Sequence, residues 1–156
     1  MILRSELAGA YLDHAFAQML AVADRLGDPL VNERPLGPST NAVAGLVVHC
    51  CGVAEFWLGH VVLGRPSRRD RDAEFGTAAT LVELHALVAG TQTQVHADLA
   101  AIDRGEGIAG HPARAHLIGC GEGDAEASDA SAVVHVLEEL YQHLGHMELA
   151  ADALLR

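Results

Sequence analysis

The sequence contains no lysine: all ten of its basic residues are arginine. This absence excludes a lysine Schiff base and a Walker-type phosphate loop, because both need the lysine amine. Aromatic residues make up only 4% of the chain, although 50% of it is hydrophobic. The core must therefore consist mainly of Ala, Val and Leu, a composition that favours packed helices over sheets.

Positive charge is also scarce, since 21 acidic residues face the ten arginines and give a formal net charge of -11. Binding to a phosphate backbone depends on Lys and Arg replacing counterions, so nucleic acid is not an expected partner. An anionic membrane surface is disfavoured for the same reason. The length of 156 residues predicts one domain spanning residues 1–156.

Cysteines are few, and no long apolar run is uninterrupted. The three cysteines are Cys50, Cys51 and Cys120. An odd count with two adjacent members is typical of reduced thiols rather than of a disulfide framework. The N-terminus, residues 1–6, lacks an apolar signal core, and polar residues such as His49 and Glu55 interrupt the longest apolar stretch. We therefore expect no membrane-spanning segment and a cytoplasmic location.

Four stretches show helical periodicity and none shows sustained alternation of period two, which predicts an all-α four-helix bundle with long connections. The first predicted helix runs from about Ser5 to Leu26, and the second from a cap at Ser39, Thr40 or Asn41 to about Leu63. The third runs from about Thr77 to Asp103, and the fourth from a cap at Ser128 or Asp129 to about Leu155. Gly27 is expected to end the first helix. The glycine-rich segment 104–126 is the expected mobile connection.

A polar stripe follows one face of the fourth helix. Its members are His135, Glu139, His143 and His146, at spacings of four, four and three. An apolar stripe that includes Leu140 lies beside it, so the polar groups can point toward the bundle interior. Residues four apart on a helix can share one ion, and transition metals bind imidazole nitrogen and carboxylate oxygen. The alternative is an ordinary side-chain pair on a half-exposed face.

His49 on the second helix can supply a third ligand. It interrupts an apolar run and shares a face with three glycines, Gly45, Gly52 and Gly59, which repeat every seven residues. Each glycine costs a helix about 1 kcal/mol relative to alanine, so something must offset that cost. Close approach of another helix would do so, as would space for a ligand beside His49. The alternative for His49 is a hydrogen-bonded core histidine.

These features together resemble a known superfamily. They are His49 in its apolar run, Trp57 eight residues later, an arginine-rich turn with Phe75 close behind, and the last helix from His135 to His146. The pattern is similar to the DinB/YfiT-like superfamily. Within it, the pattern most resembles the small mycothiol-dependent transferases and the N-terminal domain of mycothiol-dependent maleylpyruvate isomerase.

The resemblance implies a DinB-like four-helix bundle with one divalent metal, usually zinc or nickel. The isomerase-like branch binds it through His, Glu and His, which correspond here to His49, Glu139 and His143. Other branches take two histidines from the last helix, so His146 and His135 are the alternative ligands. Relatives often pair, and the abundance of Ala and Gly on the helices fits a homodimer.

The expected activity is that of a metal-dependent thiol S-transferase. Three protein ligands leave one position open, as in catalytic zinc sites, and a thiol entering it becomes a thiolate. Mycothiol or a similar low-molecular-weight thiol would then add to a small electrophile. The alternatives are a metal-binding protein without turnover, a metal-dependent hydrolase with His146 as base, and a thiol-dependent isomerase. We rank the isomerase lower, because the isomerase that this chain resembles has a further C-terminal domain.

The arginines near the presumed site have two interpretations. They are Arg34, Arg65, Arg68, Arg69 and Arg71. They either hold an anionic substrate or belong to a solvated turn paired with Asp70, Asp72 and Glu74, and we favour the second interpretation. The face beside Gly45 and Gly52 is expected to hold the body of the thiol cofactor. Cys50 and Cys51 are expected to be small buried helix residues.

Overall fold

The computed structural model describes residues 3–108 and 128–156, which form an all-α bundle. Its helices are α1 (Ser5–Leu30), α2 (Val43–Ala54), a π-helix (Glu55–Val62) that continues α2, α3 (Arg71–Glu74), α4 (Leu81–Asp103) and α5 (Asp129–Leu154). The all-α prediction is confirmed. The predicted mobile segment 104–126 lies mostly outside the described residues, as do His111, His116 and Cys120.

Each long helix contributes one apolar face to a common core. Helix α1 packs on α4 and α5, and α2 packs on the same two helices. The predicted stripe of α1 is buried over its whole length, namely Leu12, Phe16, Met19, Ala23 and Leu26. On α4 the stripe from Leu84 to Leu99 is buried in the same way. Helical spacing therefore identified the faces that pack together.

The helix ends follow the sequence signals at three places. Gly27 breaks the helical geometry of α1 with a φ of 70°, although one more turn continues to Leu30. Thr80 caps α4 in a capping box with Glu83, and Ser128 caps α5. In both cases the cap hydroxyl accepts a hydrogen bond from the backbone N–H three residues later. Helix α4 therefore begins at Leu81, a turn later than the periodicity predicted.

The predicted N-caps of α2 are wrong. Ala42 is the N-cap residue, and its side chain makes no hydrogen bond. The Thr40 hydroxyl is used within the loop instead, where it donates to the Gly37 carbonyl. The first turn of α2 is held by a backbone bond from the Ala44 N–H to the Val31 carbonyl at 2.9 Å. A tertiary contact thus replaces the side-chain cap.

Helix α2 and the π-helix together are apolar enough, and long enough, to cross a membrane by length and composition. In the most apolar 18-residue window of Val43–Val62, however, 67% of the residues are buried inside the bundle. That burial is the property of a core helix in a folded bundle, so the apolar composition is explained by packing.

The segment after the π-helix, here called the connection (residues 64–75, which include α3), lies against the glycines of α2 and the π-helix. A Cβ on Gly45 would come within 3.1 Å of the Phe75 carbonyl oxygen, and one on Gly52 would meet the Glu74 carboxylate. A Cβ on Gly59 would meet the Arg65 guanidinium. The glycines therefore admit a connecting segment rather than another long helix. Glu74 and Phe75 fill the space beside Gly45, whereas Gly52 also lines a cavity, so the position of the thiol cofactor stays a prediction.

Candidate metal centre

The structure brings His49 of α2 together with Glu139 and His143 of α5. The Glu139 Oε2 atom lies 3.8 Å from His49 Nε2 and 3.4 Å from His143 Nε2. One ligand atom from each residue lies within 4.8 Å of the other two. These are the three residues that the resemblance singled out, and two imidazole nitrogens with one carboxylate oxygen form a common ligand set for a divalent transition metal. That they bind a metal stays a prediction.

The His49 ring is almost completely buried, with 1% of the residue exposed, and its Nε2 atom has no hydrogen-bond partner. An unpaired buried polar atom costs about 1–3 kcal/mol, so such atoms need an explanation. Nε2 faces the Glu139 carboxylate and the His143 ring. The centroids of the His49 and His143 rings are 4.8 Å apart. A nitrogen without a partner, aimed at two further ligand atoms, fits a metal site.

The electrostatics of His143 favour the form that a metal binds. Burial lowers the pKa of His143, and the neighbouring His49 ring lowers it further, whereas Glu139 opposes the shift. A lowered pKa keeps the imidazole neutral, and only a neutral imidazole offers a lone pair to a metal. His143 and Glu139 are half-buried, so this side of the site is in contact with solvent.

The two alternative ligands lie beside the cluster. His135 Nε2 is 3.8 Å from Glu139 Oε1, and its ring packs edge-on against that of Trp57, with ring centroids 4.5 Å apart. The His146 ring lies 6.3 Å from that of His143. Neither ring contributes to the group of converging ligand atoms among the described residues.

A buried carboxylate behind His49 was missed by sequence reasoning. Glu74 of α3 is 7% exposed, and its Oε2 atom lies 2.8 Å from His49 Nδ1. Arg69 binds the same carboxylate at both oxygens, with Nε 2.6 Å from Oε1 and Nη2 2.9 Å from Oε2. The interpretation of this segment as a solvated turn is therefore wrong for Arg69 and Glu74. Asp70 caps α3 by accepting from the Ala73 N–H.

Comparison with known protein families gives one match. The family model described as Mycothiol-S-transferase matches residues 8–154. The chain belongs to the mycothiol-S-transferase family. The match includes His49, Glu139 and His143 as well as the segment with Arg69 and Glu74, and it confirms the resemblance. None of the curated proteins matches the chain significantly.

Most of the other arginines bind the protein itself. Arg65 forms a forked ion pair with Asp98, a buried residue of α4. Arg34 donates to the carbonyls of Pro38 and Phe75, and the Arg71 guanidinium lies over the Phe75 ring. Arg68 is exposed. Four of the five arginines are therefore held by contacts within the protein, and Arg65, Arg68 and Arg69 line a common cavity.

A cavity of about 360 Å³ lies beyond Arg69 and Glu74 and is lined by α2, the π-helix and the connection, including Phe56 and His60. None of the three candidate ligands lines it. His60 donates from Nδ1 to the Arg65 carbonyl at 2.6 Å, which ties the π-helix to the connection. The cavity is thus separated from the candidate metal centre by the buried ion pair.

In a member of the mycothiol-S-transferase family, a reactive cysteine near the site would compete with a small thiol for the metal. Cys50 and Cys51 are buried, as the sequence predicted. Burial raises the pKa of Cys50, and it raises the pKa of Cys51 to about 12. Because the thiolate is the nucleophile and the metal ligand, we expect neither thiol to compete at neutral pH.

Proposed function

We propose that this chain is a metal-dependent mycothiol S-transferase whose divalent metal, zinc or nickel, is bound by His49, Glu139 and His143. The family match supports the thiol chemistry. The single observation that carries the metal site is the unpaired Nε2 of buried His49, which faces the Glu139 carboxylate and the His143 ring. For a histidine used only in packing, this unpaired buried nitrogen would remain a cost of about 1–3 kcal/mol.

A divalent metal held by His49, Glu139 and His143 would have room for a further ligand, and it would lower the pKa of a thiol bound there. The three side chains have separate tasks in this site. His49 and His143 supply neutral donors, whereas the Glu139 carboxylate supplies negative charge. His49 closes the site toward the core, while half-buried Glu139 and His143 leave access from the α5 side for a small molecule.

The reaction is an ordinary substitution that needs neither oxidant nor reductant. The thiol loses its proton to solvent, and the sulfur electron pair forms a carbon–sulfur bond with the electrophile. The leaving group departs with the electrons of the bond that breaks. With a chlorodinitrobenzene as a generic electrophile, chloride leaves and a thioether forms, so the rate can be followed by absorbance.

The thiol proposed for the reaction is mycothiol. The family description supports it, and the lysine-free, Arg-rich composition agrees with a gene of high G+C content. Bacillithiol would undergo the same chemistry in the same site. The comparison of thiols in one assay therefore distinguishes a mycothiol enzyme from a general thiol transferase.

The experiment measures conjugation of mycothiol, bacillithiol, glutathione and cysteine to the electrophile by wild-type protein and by site variants. We expect His49→Ala, Glu139→Gln and His143→Ala each to lose at least about 100-fold in rate, as expected when a group that supports the metal is removed. His85→Ala is the matched control, because His85 is exposed on α4 and, within the described part of the chain, pairs with Asp24 alone. It should keep the wild-type rate.

Two results would contradict the proposal. If the three site variants conjugate every thiol at the wild-type rate, the cluster does not support thiol transfer. If the wild type binds metal but transfers none of the four thiols, a metal-binding protein without turnover, an isomerase or a hydrolase takes the place of the transferase. A hydrolase would use a water whose pKa is lowered toward about 7, with His146 as the candidate base.

A further inference from the structure

We propose that Glu74 is a positioning residue for the metal centre: held by Arg69, it fixes the His49 ring so that Nε2 presents its lone pair to the metal. This inference rests on the proposed metal site. It concerns two residues outside the ligand set, Arg69 just before α3 and Glu74 in α3. It starts from the observation that Glu74 is buried and that both of its carboxylate oxygens accept hydrogen bonds, from Arg69 and from His49.

The hydrogen bonds around Glu74 determine where the His49 proton lies. Arg69 donates from Nε to Oε1 and from Nη2 to Oε2, and a carboxylate that receives two charged donors is ionised and can only accept. His49 Nδ1 lies 2.8 Å from Oε2, so the hydrogen in this contact must belong to Nδ1. A neutral His49 therefore has its lone pair on Nε2, the atom that faces Glu139 and His143.

Arg69 alone would have the opposite effect on His49. Its Nη2 atom lies 3.3 Å from His49 Nδ1, but a guanidinium only donates. Nδ1 already carries a hydrogen, which Glu74 accepts. Arg69 Nη2 and His49 Nδ1 therefore both donate to the same carboxylate oxygen, Oε2. Without that carboxylate, Arg69 would donate to Nδ1 and move the proton to Nε2, where it blocks metal binding. Glu74 is thus the group that decides the tautomer.

The packing holds this carboxylate in place. The Phe75 ring stacks on the His49 imidazole, with centroids 4.4 Å apart and planes at 29°. Gly52 leaves the space that the Glu74 carboxylate fills, and Gly45 lets the backbone of residues 74–75 approach α2. A carboxylate bound to the far nitrogen of a histidine ligand raises its basicity and restrains its orientation, and its loss typically weakens metal binding by about 10- to 100-fold.

The test compares Glu74→Gln with Asp98→Asn. Both variants neutralise a buried carboxylate that is paired with an arginine. Asp98 lies on α4 and pairs with Arg65, and it is not a hydrogen-bond partner of His49. Cobalt(II) is titrated into metal-free protein, and the dissociation constant and the visible cobalt absorption are recorded. The thermal unfolding midpoint of each metal-free protein is measured alongside.

We expect Glu74→Gln to bind cobalt about 10- to 100-fold more weakly than the wild type, with an altered absorption spectrum. Asp98→Asn should have a lower unfolding midpoint than the wild type, but the same cobalt dissociation constant and absorption spectrum. A purely structural contribution of Glu74 would lower the midpoint only. If Glu74→Gln does not fold, Arg69→Lys is measured in the same way, and weaker binding is expected because one Glu74 oxygen loses its donor.

The outcomes separate this inference from the proposed function. If the wild type binds one cobalt per chain and Glu74→Gln, or Arg69→Lys in its place, has the same affinity and spectrum, the positioning of His49 by Glu74 is wrong and the metal site stands. If the wild type itself binds no cobalt, the proposed metal site is wrong and this inference falls with it.

Discussion

At the level of single residues, His49 combines the two interpretations that its sequence position allowed: it is hydrogen-bonded in the core, and it lies beside Glu139 and His143. Here Nδ1 is bound by Glu74, whereas Nε2 has no partner and faces two further ligand atoms. The unpaired atom costs stability in the metal-free protein, since a buried polar group without a partner costs about 1–3 kcal/mol. The ligand interpretation explains it, because a metal would complete the pairing.

The metal site predicts a specific pattern of binding defects. His49→Ala should abolish binding of one divalent metal per chain, because it removes the ligand that links α2 to α5. His135→Ala should leave stoichiometric binding nearly intact, because that ring packs on Trp57 and lies outside the converging group. Mass spectrometry of the metal content after dialysis gives the number of metal ions per chain in each variant. The reverse pattern would move the site along α5 toward the alternative ligands.

The cysteine environment predicts low reactivity. A raised pKa keeps a thiol protonated and neutral below that pKa, so at about pH 8 the thiolate fraction of Cys51 is roughly 10⁻⁴. We expect iodoacetamide to leave Cys50 and Cys51 unlabelled in native protein and to label both in denaturant, as read by peptide mass spectrometry. Rapid labelling of either residue in native protein would show that a protein thiol competes with the small-molecule thiol.

At the level of elements, the glycines of α2 connect local sequence to the site. Gly52→Ala places a methyl group where the Glu74 carboxylate lies, so Glu74 must move away from His49. Gly90→Ala is the control, because Gly90 is also helical but has open space around it. We expect Gly90→Ala to stabilise the protein by up to about 1 kcal/mol through helix propensity. Gly52→Ala should instead lower both stability and metal affinity.

Denaturant unfolding and cobalt titration of the two variants test this expectation. A Gly52→Ala protein as stable as Gly90→Ala, with wild-type metal affinity, would mean that the connection adjusts around the added methyl group. The close approach of Glu74 to α2 would then be incidental to the metal centre.

Periodicity predicted the long helices well, because a buried stripe repeats along each of them. It gave no signal for α3, which is only four residues long, or for the π-helix, whose residues continue the apolar run of α2. The cap of α2 was predicted wrongly because a backbone bond between Ala44 and Val31, distant in sequence, replaces a local side-chain cap. Tertiary contacts thus determined the features that local sequence did not.

The candidate site was predictable only in part, for the same reason. The spacing of Glu139 and His143 placed them on one face, but spacing cannot show that His49 lies opposite. Glu74 was missed because its carboxylate is 25 residues from His49 and stands in a charged segment typical of solvated turns. The repeat of Gly45, Gly52 and Gly59 was the available signal, since it indicated close approach without identifying the approaching group.

At the level of the whole molecule, the oligomeric state stays a prediction. We expect a homodimer, because helices rich in Ala and Gly let whole faces approach closely. Light scattering coupled to size exclusion should give twice the chain mass of 16.4 kDa across a wide concentration range. A constant mass of one chain would show that the bundle acts alone, without affecting the metal site.

The cytoplasmic location expected from the sequence stays a prediction as well. It rests on the odd count of three cysteines, two of them adjacent, which is typical of reduced thiols. Fractionation of cells that express the protein at its natural level would test it. Recovery in the membrane or secreted fraction would be the contrary result.

The most direct test of metal-dependent thiol transfer compares one wild-type preparation in three states. The rate of mycothiol conjugation is measured with the metal-loaded protein, after removal of the metal by a chelator, and after addition of one equivalent of zinc or nickel. We expect the activity to disappear with the metal and to return with one equivalent. Equal rates in all three states would contradict the proposed function.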